Sequence, residues 1–417
     1  MNCYQLIKIL IIVIIFILLF ILLYKINNNK LLKVEKINKM ILSQPYCGRD
    51  VCDEFSHLYM TEEDFNKLDI NTRWYYRAYC LNYFDKIKDN YHLMNFKHPP
   101  KSEANNLIFV NLASYRDPEC YKTIQSLINN SSNWKNLRIV VCEQNSIEDI
   151  PYNYNLNNIY NSIIRVIKMN YLDARGPTRA RYLIQQLYNK EEYYLQIDSH
   201  TRFEKHWDLK LINSIKNLPD KSCLTQYLPD YPLSGDEITI KLRDSLNVNQ
   251  INAMDGFSRI GSSYIDSDKV YDKPFSANGW SGCFSFSKGD ICHDAPIDPY
   301  TPDVFFGEEM DMALRLFTRG WNFYSPHYPI AYTNFDRSYR DTFWQKKGAG
   351  YDKNITLSSR LRIHYRLGTL PYLLKSKIEN DYPELIINHN LFTLGNERNL
   401  KDYEKLIGFN FKTEKTR

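Results

Sequence analysis

Tyr193-Tyr194-Leu195-Gln196-Ile197-Asp198-Ser199-His200 is the stretch whose reading decides the fold. A short run of aromatic and aliphatic strand formers ends in a carboxylate and, two residues on, an imidazole. Residues i and i+2 of an extended strand face the same side. Asp198 and His200 are therefore expected to aim at one point just beyond the strand's carboxyl end. A carboxylate oxygen with an imidazole nitrogen suits a divalent cation such as Mn²⁺, and a cation with open positions can hold a diphosphate.

Upstream of that strand, strand and helix signals alternate. Leu107-Ile108-Phe109-Val110-Asn111-Leu112 reads as a buried parallel strand. Asp117-Pro118 reads as an N-cap followed by proline at the first helical position, with Ile124, Leu127 and Ile128 at helical spacing. Leu137 to Cys142 and Ile163 to Ile167 are further strands, and Gly176-Pro177 opens a helix with Ala180, Leu183, Ile184, Leu187 and Tyr188 on one face. Such alternation builds a parallel sheet covered by helices on both faces, with ligands at the carboxyl ends of its strands. The polar residues stand there: Ser114 and Arg116 after the first strand, Glu143 after the second, Asp198 and His200 after the last. Asp117 is read as a helix cap rather than a ligand. Glu143 is either a solvated loop residue or a contact to ribose or uracil. Arg175, Arg179 and Arg181 cluster near a helix start, where guanidinium groups match diphosphate oxygens, one of the three being left as a surface charge.

Downstream, Ser276-Ala277-Asn278-Gly279-Trp280-Ser281-Gly282-Cys283-Phe284 admits two readings. Gly279 allows close approach of a ligand and Trp280 stacks on a sugar face, or the segment is a twisted strand pair with glycine bulges. Phe305-Phe306-Gly307-Glu308-Glu309 then opens a helix with Met310, Ala313, Leu314 and Phe317 buried, Asp311 exposed and Gly320 as the C-cap. Two acids in a first turn suit the helix dipole. Functionally, Glu308 or Glu309 points into the cleft to bind a sugar hydroxyl or the acceptor nucleophile, or to act as a base. Together these residues point to a metal-dependent transferase with a nucleotide-activated donor.

The chain of 417 residues is long enough for one large or two ordinary domains, and its 44% hydrophobic content supports a substantial core. The net charge of +5 is spread along the chain, so nothing marks a nucleic-acid partner. Nine cysteines form no CxxC pair, which argues against a zinc ribbon; Cys47 and Cys52 could pair in an oxidising compartment, and Cys142 reads as a buried thiol. Leu6 to Ile26 is long and apolar enough to span a bilayer as an uncleaved anchor. Lys25, Lys30, Lys33, Lys36 and Lys39 follow it while only Lys8 precedes it, which favours a cytosolic body. Asn130-Ser131-Ser132 and Asn354-Ile355-Thr356 fit the glycosylation acceptor pattern of a lumenal one.

Four segments in order resemble a known family: Asn111 through Cys120; Ala174-Arg175-Gly176-Pro177 through Arg181; Gln196 through His200; and Phe305 through Glu309 with Arg315, Gly320-Trp321 and Pro326. They resemble the N-acetylglucosaminyltransferase family that modifies hydroxyproline on the ubiquitin-ligase subunit Skp1 and, more distantly, polypeptide N-acetylgalactosaminyltransferases. The resemblance implies an α/β fold of GT-A type, a Rossmann-like nucleotide-binding half joined to an acceptor half. It also implies a UDP-sugar donor (UDP-GlcNAc), Mn²⁺ or Mg²⁺ as cofactor, and a hydroxyl acceptor on protein, either hydroxyproline or Ser/Thr. It carries Asp198 and His200 over as metal ligands and places Glu308 or Glu309 in the acceptor and sugar site. The relatives complete the metal shell with a histidine at the position aligned with Thr333, so the nearby His327 is the candidate third ligand, with His364 the next nearest histidine. The expected organisation is an anchor at 1–27, a spacer at 28–101, the transferase domain at 102–345 and a C-terminal extension at 346–417. An anchored, catalytically weak relative that binds sugar is the alternative.

Overall fold

A computed structural model describes residues 106–146, 149, 160, 162–231, 247–251, 257–262, 272–343, 353–370, 372–411 and 415–416. The expected anchor, the spacer and the Cys47–Cys52 pair lie outside the described residues. No helix among the described residues is long and apolar enough to cross a membrane.

The first half alternates as its sequence demands. It runs β1 (Ile108–Tyr115), α1 (Cys120–Asn130), β2 (Leu137–Asn145), β3 (Ile164–Asn170), α2 (Pro177–Gln185) and β4 (Tyr193–Asp198). β5 (Thr201–Phe203), α3 (Trp207–Lys216) and β6 (Ser222–Thr225) follow. The second half adds β7 (Asn247–Ile251), β8 (Ser258–Gly261), β9 (Phe275–Ala277), β10 (Phe284–Lys288), α4 (Ile291–Asp294), α5 (Glu308–Phe317), β11 (Asn322–Ser325) and β12 (Ala331–Thr333). After these come α6 (Lys353–Leu367), α7 (Tyr372–Asp381) and α8 (Leu400–Ile407). Eight strands form one mixed sheet in the order β3-β2-β1-β4-β10-β6-β11-β9. The β3-β2-β1-β4 block is parallel throughout, and β10 joins it antiparallel to β4. β9 and β10 are not a hairpin: β9 pairs β11 at the far edge, while β10 lies between β4 and β6.

Period-two alternation sorts β1 into two cores. Ile108, Val110 and Leu112 pack on one face with Leu127 of α1 and Trp207 of α3. Phe109 packs on the other with Ala180 and Ile184 of α2 and Leu314 of α5. On β4 the face carrying Tyr194 and Gln196 also carries Asp198, which is why Asp198 emerges beneath α2 and α5. Asn111, on that face of β1, donates to the Arg181 carbonyl at 2.9 Å and to the Tyr194 hydroxyl at 2.7 Å, tying the middle of α2 to the sheet.

α2 stops at Gln185, shorter than its apolar spacing suggests, with Leu187 and Tyr188 packing beyond it as partly buried residues. Asp311 is a clearer departure from expectation. It is buried on α5 and its carboxylate accepts two hydrogen bonds from Arg366 of α6, at 2.7 and 2.9 Å. Arg362 donates to the fully buried Asp298 at 2.7 Å, and Arg366 also pairs with Asp298. Segment 353–367 is thus fastened to α5 by enclosed ion pairs, which cost heavily when one partner is removed.

Asp298→Ala leaves the buried Arg362 without its carboxylate and Arg366 with Asp311 alone, and is predicted to destabilise the protein by about 3–5 kcal/mol in chemical unfolding, against the small loss expected of a surface ion pair.

Candidate active site

β4 ends at Asp198, and residues 199–200 form a bend before β5. The Thr201 hydroxyl closes the bend by donating to the Asp198 carbonyl at 2.8 Å. Asp198 and His200 are brought together, but by this turn rather than by strand alternation. His200 Nε2 lies 3.6 Å from Asp198 Oδ2. The Asp198 side chain is 26% exposed and that of His200 only 4%. His200 Nε2 is buried without a hydrogen-bond partner. A buried ring nitrogen facing a carboxylate oxygen across that gap is a donor pair that fits a divalent cation.

Each member of the pair is held from behind. His200 Nδ1 lies 2.8 Å from Asp117 Oδ2, and Ser199 Oγ donates to the same oxygen at 2.6 Å. Asp117 Oδ1 accepts from the backbone N–H of Glu119 at 3.0 Å, but α1 begins only at Cys120 with Glu119 as its N-cap residue, so Asp117 closes the turn ahead of the helix instead of capping it. Arg181 Nη2 donates to Asp198 Oδ1 at 3.0 Å and Arg181 Nη1 to Glu308 Oε1 at 2.6 Å. The Arg181 guanidinium helps hold the Asp198 carboxyl down, at about 2, against the opposing effect of burial.

Arg181 is therefore a bridge between two carboxylates rather than a surface arginine waiting for a diphosphate. Gly282 makes room for it: a Cβ there would stand 2.9 Å from Arg181 Nη1. The same residue's backbone N–H donates to Glu309 Oε1 at 2.9 Å, and the Tyr227 hydroxyl donates to Glu309 Oε2 at 2.6 Å. Gly307 turns the chain into α5 at φ +106°, where a Cβ would strike Phe257. Burial pushes the Glu309 carboxyl up to about 7 and raises that of Glu308. Glu143, buried at the end of β2, is likewise pushed up to about 7 by burial.

The remaining expected site residues are placed as follows. Ser114 is fully buried on β1, and its carbonyl accepts from Gln144 at 3.1 Å. Arg116, at φ +47°, turns the chain out of β1 and clamps Asp149 with contacts of 2.7 to 3.1 Å. Arg175 is buried, 3.8 Å from Asp303. Trp280 is 2% exposed within the core that contains Ile260, so no ring face is open for a sugar. Gly279 is glycine because a Cβ would press on Ile260 at 3.0 Å.

His327 is not brought to Asp198 and His200. It lies in the loop between β11 and β12 with its ring 4.1 Å from that of Tyr328, whose hydroxyl is anchored to the Lys210 carbonyl of α3 at 2.7 Å. The β12–β5 register instead sets Thr333 opposite Thr201, and the Thr333 hydroxyl donates to the His200 carbonyl at 3.3 Å. Among the described residues no group of three His, Cys, Asp or Glu side chains could hold one metal ion. Sequence reasoning missed Tyr227, and it missed the loop beyond β12, where the Tyr339 hydroxyl donates to Asp117 Oδ1 at 3.1 Å and Arg340 Nε stands 3.3 Å from Oδ2.

Acid, imidazole and arginine groups thus converge at the carboxyl end of β4, the end at which α/β sheets bind ligands. The family follows from comparison. The model of the family Glycosyltransferase (GlcNAc) matches residues 107–157 and 151–413, and the chain belongs to that family. No curated protein matches the sequence. Among solved structures, the chain is similar to GalNAc-T7 with UDP, GalNAc and Mn²⁺, with 14% identity, 88% of this chain and 69% of that chain covered, and a TM-score of 0.47. It is also similar to S. aureus TarS 1-349 in complex with UDP-GlcNAc, with 11% identity, 68% and 73% covered, and a TM-score of 0.41.

Two predictions follow from the local geometry. Gly282→Ala displaces the Arg181 guanidinium and is expected to lower turnover by ~10–100-fold while the circular dichroism spectrum is kept; wild-type turnover would contradict the bridging role. Glu143 and Glu309 bind protons more tightly folded, at about 7, than their ordinary 4.5, so these two groups make stability fall as pH rises through that window. Urea unfolding across the window is expected to show that fall, and Glu143→Gln with Glu309→Gln to flatten it.

Proposed function

We propose that this glycosyltransferase moves N-acetylglucosamine from UDP-GlcNAc to a hydroxyl on a protein acceptor, with Mn²⁺ or Mg²⁺ held on the donor diphosphate by Asp198 and His200. The observation that carries the reading is the unpartnered, buried His200 Nε2 facing Asp198 Oδ2. The family description supports the donor sugar. The parallel block with its ligand-bearing strand ends supports a GT-A architecture. The apolar stretch Leu6 to Ile26 supports a membrane-anchored enzyme.

A cation at this pair supplies Lewis-acid neutralisation of the charge that develops on departing UDP. Arg181 keeps Asp198 ionised and turned toward the pair, and by its second arm keeps Glu308 at a fixed position beside it. Glu309, oriented by Tyr227 and Gly282, retains free lone-pair sites for the acceptor hydroxyl. Its carboxyl, at about 7, is matched to taking up a proton near neutral pH. Glu143 sits at the end of β2, where the ribose or uracil of the donor would lie.

The test is UDP release from a panel of UDP-sugars, with and without Mn²⁺ and candidate acceptor peptides. UDP-GlcNAc is expected to be preferred, turnover to require the cation, and Asp198→Ala to lose it by ~10²–10³-fold. Preference for another sugar would overturn the donor assignment, and cation-independent turnover would overturn the metal site. Binding of UDP-GlcNAc without transfer would favour a sugar-binding protein.

A further inference from the structure

We propose that Asp117 is a positioning residue for His200, fixing the imidazole in the tautomer whose Nε2 carries the lone pair and so making that nitrogen the ligand. The inference rests on the metal-site reading above and adds a residue to it.

Closing the turn ahead of α1 explains only half of what the Asp117 carboxylate does. Its Oδ1 faces the Glu119 backbone N–H at 3.0 Å and the Tyr339 hydroxyl at 3.1 Å, and these contacts shape the start of α1 and the loop beyond β12. Its Oδ2 has a separate set: Ser199 Oγ at 2.6 Å, His200 Nδ1 at 2.8 Å and Arg340 Nε at 3.3 Å. The Asp117 side chain is wholly buried and that of His200 nearly so. Oδ1 accepts from a backbone N–H, which can only donate, and Oδ2 accepts from the Ser199 hydroxyl with the Arg340 guanidinium close beside it, so both oxygens of Asp117 act as acceptors. His200 Nδ1 must then be the donor. A neutral imidazole has one N–H to give, which leaves the lone pair on Nε2. That nitrogen is the buried atom without a hydrogen-bond partner, and it faces Asp198 Oδ2. Arg340 supplies the positive charge beside Asp117, so the imidazole need not carry one to balance the carboxylate. Carboxylates behind ligating histidines work in this way, and their loss typically weakens metal binding by ~10–100-fold.

The experiment uses the whole protein and two readouts other than turnover. The first is the ¹⁵N spectrum of histidine-labelled protein without metal, at mildly alkaline pH, with His200 assigned through His200→Gln. The expected result is a protonated Nδ1 and an unprotonated Nε2, and the opposite tautomer would overturn the proposal even if no Asp117 variant folds. The second is Mn²⁺ affinity by calorimetry. Asp117→Asn is expected to weaken binding by ~10–100-fold and to mix the tautomers. Tyr339→Phe, which removes a contact from Oδ1 alone, is expected to leave both unchanged. A folded Asp117→Asn variant with wild-type affinity and tautomer would overturn the proposal, as would equal weakening by Tyr339→Phe. If the wild-type protein binds no Mn²⁺, the metal reading fails by itself, and the tautomer still reports whether Asp117 orients the ring.

Discussion

The site depends on one continuous line of charge-assisted contacts: Asp117 to His200, His200 across a gap to Asp198, Asp198 to Arg181, and Arg181 to Glu308. Each acidic group in the line faces a basic one, which is how so many ionisable groups can sit at the end of a buried sheet. The gap between His200 Nε2 and Asp198 Oδ2 is the exception, since a hydrogen bond does not close it. The groups on either side of that gap are held by hydrogen bonds from behind, the preorganisation that electrostatic catalysis requires.

The line also couples the two halves of the protein. Asp198 and His200 come from the end of β4, Arg181 from α2, and Glu308 from the first turn of α5. α5 is in turn fastened to α6 through Asp311 and Arg366. The family match extends to residue 413, and these enclosed ion pairs give a physical reason for segment 353–367 to belong with the sheet. The two arms of one planar guanidinium, that of Arg181, thus tie Glu308 of α5 to Asp198 of β4.

Much of this was legible in the sequence wherever the signal was local. The mostly apolar runs of β1, β2 and β4 marked the parallel block, and the abrupt change from Ile197 to Asp198 marked the strand end that bears the candidate site. The reason offered for their convergence was not the real one, since a bend rather than a continuing strand turns His200 back toward Asp198. Strands of three to five residues such as β6, β9 and β11 left too little periodicity to be read. Long-range partners were invisible. Asp117 meets His200 across 83 positions and Asp311 meets Arg366 across 55, so a capping residue and an exposed helical acid were the natural local readings. Trp280 looked like a sugar platform because glycines flank it, but those glycines admit Ile260 and Arg181 rather than a ligand.

The most direct measurement is anomalous diffraction from crystals grown with Mn²⁺ and UDP-GlcNAc. The account predicts a single strong peak between Asp198 Oδ2 and His200 Nε2, with Asp117 still against Nδ1. A peak elsewhere, or an imidazole turned away from it, would contradict the account.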